Sequence, residues 1–150
     1  MRIALFEPEI AGNVGAVLRL AACLGAAVDL IEPMGFEWDD RRVRRTAMDY
    51  IDHVVIAHHL GFDAFRNTIG SRRLVLFTTK SRQSAYDFSF TADDVLLFGK
   101  ESAGVPPAVA DACDARVCIP IRSEVRSLNV ATSSALALGE AMRQTATLPR

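Results

Sequence analysis

Six short apolar runs punctuate the chain: Ile3 to Phe6, Val28 to Ile31, Val54 to Ala57, Leu74 to Phe77, Val95 to Phe98 and Val117 to Ile119. A strand with one wet face alternates apolar and polar residues, whereas these runs are rich in branched side chains and do not alternate. That is the pattern of strands covered on both faces. Helical periodicity fills the gaps: Val14 to Leu24 closed by Gly25, a basic segment from about Asp39, a short one around Asp63 to Ile69, Ala108 to Ala112 behind Pro106-Pro107, and Val130 to Arg143. Strand and helix therefore alternate, which predicts an α/β fold with a mostly parallel sheet and helices on both faces. With 150 residues and no internal repeat, linker or break in composition, one domain spanning residues 1–150 is expected.

Open α/β sheets bind ligands beyond the carboxyl ends of their strands. The residues expected there are Glu7-Pro8-Glu9, Thr78-Thr79-Lys80, Gly99 to Gly104, and Pro120 followed by Arg122 to Asn129. Gly12-Asn13-Val14-Gly15 lacks the glycine spacing of a dinucleotide fold, and no phosphate loop ending in Gly-Lys-Ser/Thr occurs, which argues against NAD and ATP enzymes. His53, His58 and His59 have no carboxylate at metal-ligand spacing and no Gly-x-Ser-x-Gly elbow near them, so they read as surface or strand-end residues and no metal is expected. Trp38 suits either a core anchor or a platform for a base.

Charge changes the picture through its distribution rather than its sum. The formal net charge is −1, which excludes a binder relying on a strong positive field. Yet the cations cluster as Arg41-Arg42-Val43-Arg44-Arg45, Lys80-Ser81-Arg82 and Arg122 with Arg126. Guanidinium forks match phosphate, so a local RNA-facing surface is one reading; a solvated helix face paired with Asp39 and Asp40 is the other. Cys23, Cys113 and Cys118 are odd in number and lack a Cys-x-x-Cys spacing, and so are expected as reduced, buried thiols. The amino-terminal apolar run is too short for a signal peptide and no stretch is long enough to span a bilayer, so a cytoplasmic protein without membrane contact is expected.

Three segments, in order, resemble the SPOUT superfamily of RNA methyltransferases. Pro8-Glu9-Ile10-Ala11-Gly12-Asn13-Val14-Gly15 with Arg19 is similar to its Asn-x5-Arg motif. Leu97-Phe98-Gly99-Lys100-Glu101-Ser102-Ala103-Gly104-Val105-Pro106 is similar to Phe-Gly-x-Glu-x-x-Gly-Leu/Val-Pro, and Ile119-Pro120 with Ser127-Leu128-Asn129-Val130-Ala131 to the third motif. Ile31-Glu32-Pro33-Met34-Gly35-Phe36 with Trp38, Asp39, Asp40, the arginines and Met48-Asp49-Tyr50 resembles the small single-domain subfamily that 2'-O-methylates the wobble pyrimidine of tRNA. Two positions depart from the pattern: Lys100 stands where proline is usual, and Gly139 where close relatives carry tyrosine.

The resemblance covers the chain from Ile3 to Gln144 and implies a deep trefoil knot in the C-terminal third. General rules would have put a knot last. It further implies S-adenosylmethionine as cofactor, held by Phe77, Gly99, Ile119 and Ser127, with the tRNA anticodon stem-loop as substrate and a homodimer as the working form. Arg19, Asn13, Glu101 and Asn129 are the implied catalytic group. A guanidinium hardly deprotonates, so Arg19 suits holding phosphate and ribose oxygen in line better than acting as a base; by periodicity alone it would snorkel to solvent. Asn13 and Asn129 each also suit a helix cap, and Glu101 a turn carboxylate or the group that orients Arg19 and Asn13. A non-catalytic RNA-binding module, a flavodoxin-like nucleotide-binding regulator and a base methyltransferase are the rival readings.

Overall fold

A computed structural model describes residues 1–150, and the alternation of the sequence becomes a three-layer sandwich. The strands are β1 (Arg2–Phe6), β2 (Ala27–Ile31), β3 (Ile56–His59), β4 (Leu74–Phe77), β5 (Val95–Phe98) and β6 (Ala115–Val117). They form one sheet in the order β3-β2-β1-β5-β4-β6, with every neighbouring pair parallel. The helices are α1 (Ala11–Leu24), α2 (Asp40–Ala47), α3 (Phe62–Ile69), α4 (Pro107–Asp111) and α5 (Val130–Gln144).

The non-alternating runs are explained by two cores. Ile3, Leu5, Val28, Leu30, Leu96 and Phe98 face one side, where α1, α2 and α5 cover them with Val14, Leu18, Val43 and Leu138. Ala4, Phe6, Ile31, Leu74, Leu76 and Leu97 face the other, beneath Phe65 and Ile69 of α3 and Val109 of α4. Successive residues of a strand point to opposite faces, so both sets must be apolar.

Several local expectations shift. β3 begins at Ile56, not Val54, because a 3₁₀ turn takes residues Met48–His53 and the strand pairs onward to Ile31↔His59. His59 is thus a strand-end residue, the last of β3, but not a surface one: it is buried, with Nε2 2.8 Å from the fully buried Asp29, which also accepts a two-pronged hydrogen bond from Arg2. β6 ends at Val117 because its partner β4 ends at Phe77. Cys23 is exposed and only Cys113 and Cys118 are partly buried, correcting the expectation of three buried thiols; burial pushes the Cys113 thiol up to about 11. Trp38 sits at the core edge, its ring edge-on to His58 and its Nε1 donating to Asp40 Oδ1 at 2.9 Å. No helix is long and apolar enough to cross a membrane.

Candidate active site

The chain runs from β1 outward to β2 and β3, then returns to the other half of the sheet, so the strand order reverses between β1 and its neighbour β5. A crevice forms where connections leave such a point in opposite directions. Here the loops after β1 and β5 face each other and are stitched by three carboxylates. Glu7 Oε2 meets Lys100 Nζ at 2.7 Å. Glu9 accepts from the amide and hydroxyl of Ser102 at 2.9 and 2.8 Å, and these bonds hold its carboxyl below the usual carboxylate range. Lys100, where proline was the pattern, is a partner of Glu7, whose hydrogen bond raises the ammonium pKa.

Glu101 makes the reciprocal crossing. It accepts from the amides of Glu9 at 2.9 Å and Ile10 at 3.3 Å, and from Asn13 Nδ2 at 3.2 Å. Asn13 Oδ1 in turn accepts from Asn129 Nδ2 at 2.9 Å, and Asn129 Oδ1 accepts from the amides of Ala131 and Thr132. Each amide orientation is forced, since a carboxylate only accepts and a backbone N–H only donates. One hydrogen-bonded relay therefore joins the β5 loop, the first turn of α1 and the cap of α5.

The glycine at the head of this loop is dictated by sterics. A Cβ on Gly99 would lie 2.4 Å from the backbone carbon of Gly104, while residues 100 and 104 exchange two backbone bonds of 2.9 Å that close the loop. Gly104 completes it at φ +66.

The four residues expected to be catalytic are thus only partly assembled. Asn13, Glu101 and Asn129 come together; Arg19 does not join them. Glu101 orients Asn13 but makes no hydrogen bond or ion pair with Arg19. Asn129 caps α5 as expected, but Asn13 does not cap α1: the helix starts at Ala11 with Ile10 at its cap position, and Asn13 lies in its first turn. Arg19 is exposed on α1, its guanidinium 5.2 Å from the centroid of the Tyr50 ring.

Of the residues expected to hold a cofactor, Phe77 turns its ring into the core, stacked on Phe98 at 5.0 Å and Phe90 at 6.2 Å, and ends β4 between Phe98 and Val117. Gly99 follows β5, and Ile119, two residues past β6, packs partly buried against the same core. Ser127 is exposed in the loop between β6 and α5, free of hydrogen bonds within the chain. Motif reasoning quoted Glu9, Ser102 and Tyr50 within its segments but gave them no role, and Glu7 was marked only by following an apolar run.

A wholly parallel α/β sheet with a polar relay and glycine loop at its switch point belongs to the class of open α/β domains whose ligands bind at that point. Residues 1–139 match the SpoU rRNA Methylase family, and the chain belongs to that family. It is 51% identical over 150 residues to a Beijerinckia indica protein named tRNA (cytidine(34)-2'-O)-methyltransferase, covering 99% of this chain and 94% of that one. An Escherichia coli K12 protein of the same name is 37% identical, covering 96% and 93%. A solved structure described as giving structural insights into the 2-OH methylation of C/U34 on tRNA superposes with a TM-score of 0.90 at 38% identity, covering 95% of this chain and 94% of that chain. The AdoMet-bound rRNA methyltransferase of Sinorhizobium meliloti superposes with a TM-score of 0.86 at 26% identity, covering 95% of this chain and 55% of the other.

Proposed function

We propose that the protein transfers a methyl group from S-adenosylmethionine to the 2'-hydroxyl of the wobble pyrimidine of tRNA. The Glu101–Asn13–Asn129 relay carries this reading, because it joins all three motifs of the resemblance in one geometry. Near full-length similarity to proteins named for the cytidine-34 reaction supports the substrate.

The cofactor supplies a methyl group made electrophilic by a positively charged sulfur. The ends of β4, β5 and β6 suit it: they lie side by side, with Phe77 and Phe98 buried behind them, Ile119 partly buried beside them and polar groups from Gly99 and Ser127 following them. An adenosine needs this combination of apolar faces and polar edges. The proton of the 2'-hydroxyl leaves to bulk water as the methyl group is transferred, so the side chains contribute by alignment. The relay fixes the first turn of α1 against the loop after β5, and Arg19 holds the target phosphate and ribose oxygen in line with its fork.

The working form is a homodimer. Six residues on from Asn13, Arg19 lies about 9 Å further along α1 and about 120° around it, so it does not serve the pocket that Asn13 lines. A second subunit bringing its own Arg19 completes the site. The sequence from Ile119 to Asn129, passing from β6 to the α5 cap, is the segment that would thread the trefoil knot. Arg41, Arg42 and Arg45 are exposed and have no carboxylate partner; Asp39 caps the Arg41 amide, Asp40 takes Trp38, and only Arg44 is paired, with Asp52. These free guanidiniums suit the phosphates of an anticodon stem-loop, a substrate that places the protein in the cytoplasm. Incubation of unmodified tRNA with labelled S-adenosylmethionine, followed by nucleoside mass spectrometry, should yield a 2'-O-methylated pyrimidine from position 34. Label on a base would overturn the reading.

A further inference from the structure

Arg19 is the one member of the implied catalytic group without a hydrogen bond or ion pair, and a flexible exposed side chain is a poor alignment device. Its recorded partner is the face of Tyr50, at 5.2 Å. Tyr50 lies in the 3₁₀ turn Met48–His53 that follows α2, is half-buried, and has a hydroxyl without a hydrogen bond. The turn is held against α1, and α2 approaches α1 closely: a Cβ on Gly15 would lie 2.5 Å from Thr46 Cβ, so glycine is what lets the helices meet there.

We infer that Tyr50 is a positioning residue for Arg19, presenting its ring as a platform that fixes the plane of the guanidinium toward RNA. The inference rests on Arg19 being the group that aligns the 2'-hydroxyl. A carboxylate partner would orient an arginine equally well, but it would occupy two donors and cancel the charge wanted for phosphate. A ring face attracts the cation electrostatically and takes none of the five N–H donors. Arg19 stays charged, held and free to donate. The platform also couples the two elements that would meet RNA, because the same 3₁₀ turn carries Asp52, the partner of Arg44 on α2.

The test separates the ring's electrostatics from its bulk. Tyr50→Phe should keep turnover within about twofold, since the hydroxyl is idle, whereas Tyr50→Leu should lower kcat about tenfold with unchanged affinity for S-adenosylmethionine, the scale of one lost cation–ring contact. Phenylalanine analogues with one, two and three ring fluorines at position 50 keep the shape while weakening the negative ring face. Log kcat should fall steadily with each fluorine, and this series decides the matter even if Tyr50→Leu fails to fold. A flat series, or Tyr50→Phe as slow as Tyr50→Leu, would overturn the inference. Arg19→Ala is measured alongside: full activity there would remove the role of Arg19 itself, while a slow Arg19→Ala with a flat fluorine series would remove only that of Tyr50.

Discussion

At the scale of single residues, the relay shows why one carboxylate matters more than its exposure suggests. Glu101 satisfies two backbone amides ahead of α1 and fixes Asn13, which fixes Asn129. Glu101→Gln keeps the shape but replaces one accepting oxygen with an amide that donates, facing donors. The loss of charge-assisted bonds should cost about 2 kcal/mol of stability. Turnover should fall about a hundredfold, because misplacing the aligned groups by an ångström has that effect. Thermal denaturation and single-turnover kinetics on the same sample would check both; unchanged turnover would show the relay to be structural only. Motif matching picked out these three residues, but their contacts run between residues 88 and 116 positions apart, which no local pattern encodes. Conversely, the sequence suggested Asn13 as a cap because asparagine favours that position, yet Ile10 holds it while Glu101, from a distant loop, takes the amides of Glu9 and Ile10.

At the scale of elements, all six strands and all five helices were legible in the periodicity to within a few residues, because burial on both faces leaves a plain apolar run. β3 was displaced because its later half, His58-His59, is polar: only the partner Asp29, itself hidden inside β2, makes a buried histidine affordable there. A buried polar pair of this kind is invisible until the sheet is assembled. The entry to β5 gives an instance with a pH signature. Burial alone would push Asp94 up, but its bonds from Arg73 and Thr91 outweigh that and hold its pKa below the usual value of 3.8. A carboxyl lowered on folding stabilises the native state in full above its unfolded value and loses that contribution as pH falls through the native one. Asp94→Asn should therefore destabilise the protein by about 2 kcal/mol at neutral pH, and the gap to the unsubstituted chain should shrink below about pH 4. Urea titrations from pH 7 to pH 3 would show it; a gap constant with pH would mean that Asp94 acts by packing.

At the scale of the whole molecule, the parallel sheet, its order and the switch point explain why residues far apart in sequence share a crevice, and why Arg19 stands apart from them. If two subunits combine, Arg19 from one serves the relay of the other. Arg19→Ala mixed with Asn129→Ala should then regain about a quarter of the original activity after subunit exchange, since half of random dimers are mixed and each holds one intact site. No recovery, or a monomer by sedimentation at micromolar concentration, would mean that each chain works alone. The reaction itself is tested most directly by a tRNA carrying 2'-deoxyribose at position 34 alone, compared with the all-ribose molecule under labelled S-adenosylmethionine. The deoxy tRNA should bind with similar affinity and accept no methyl group, whereas methylation of both to the same extent would contradict 2'-O transfer to the wobble nucleotide.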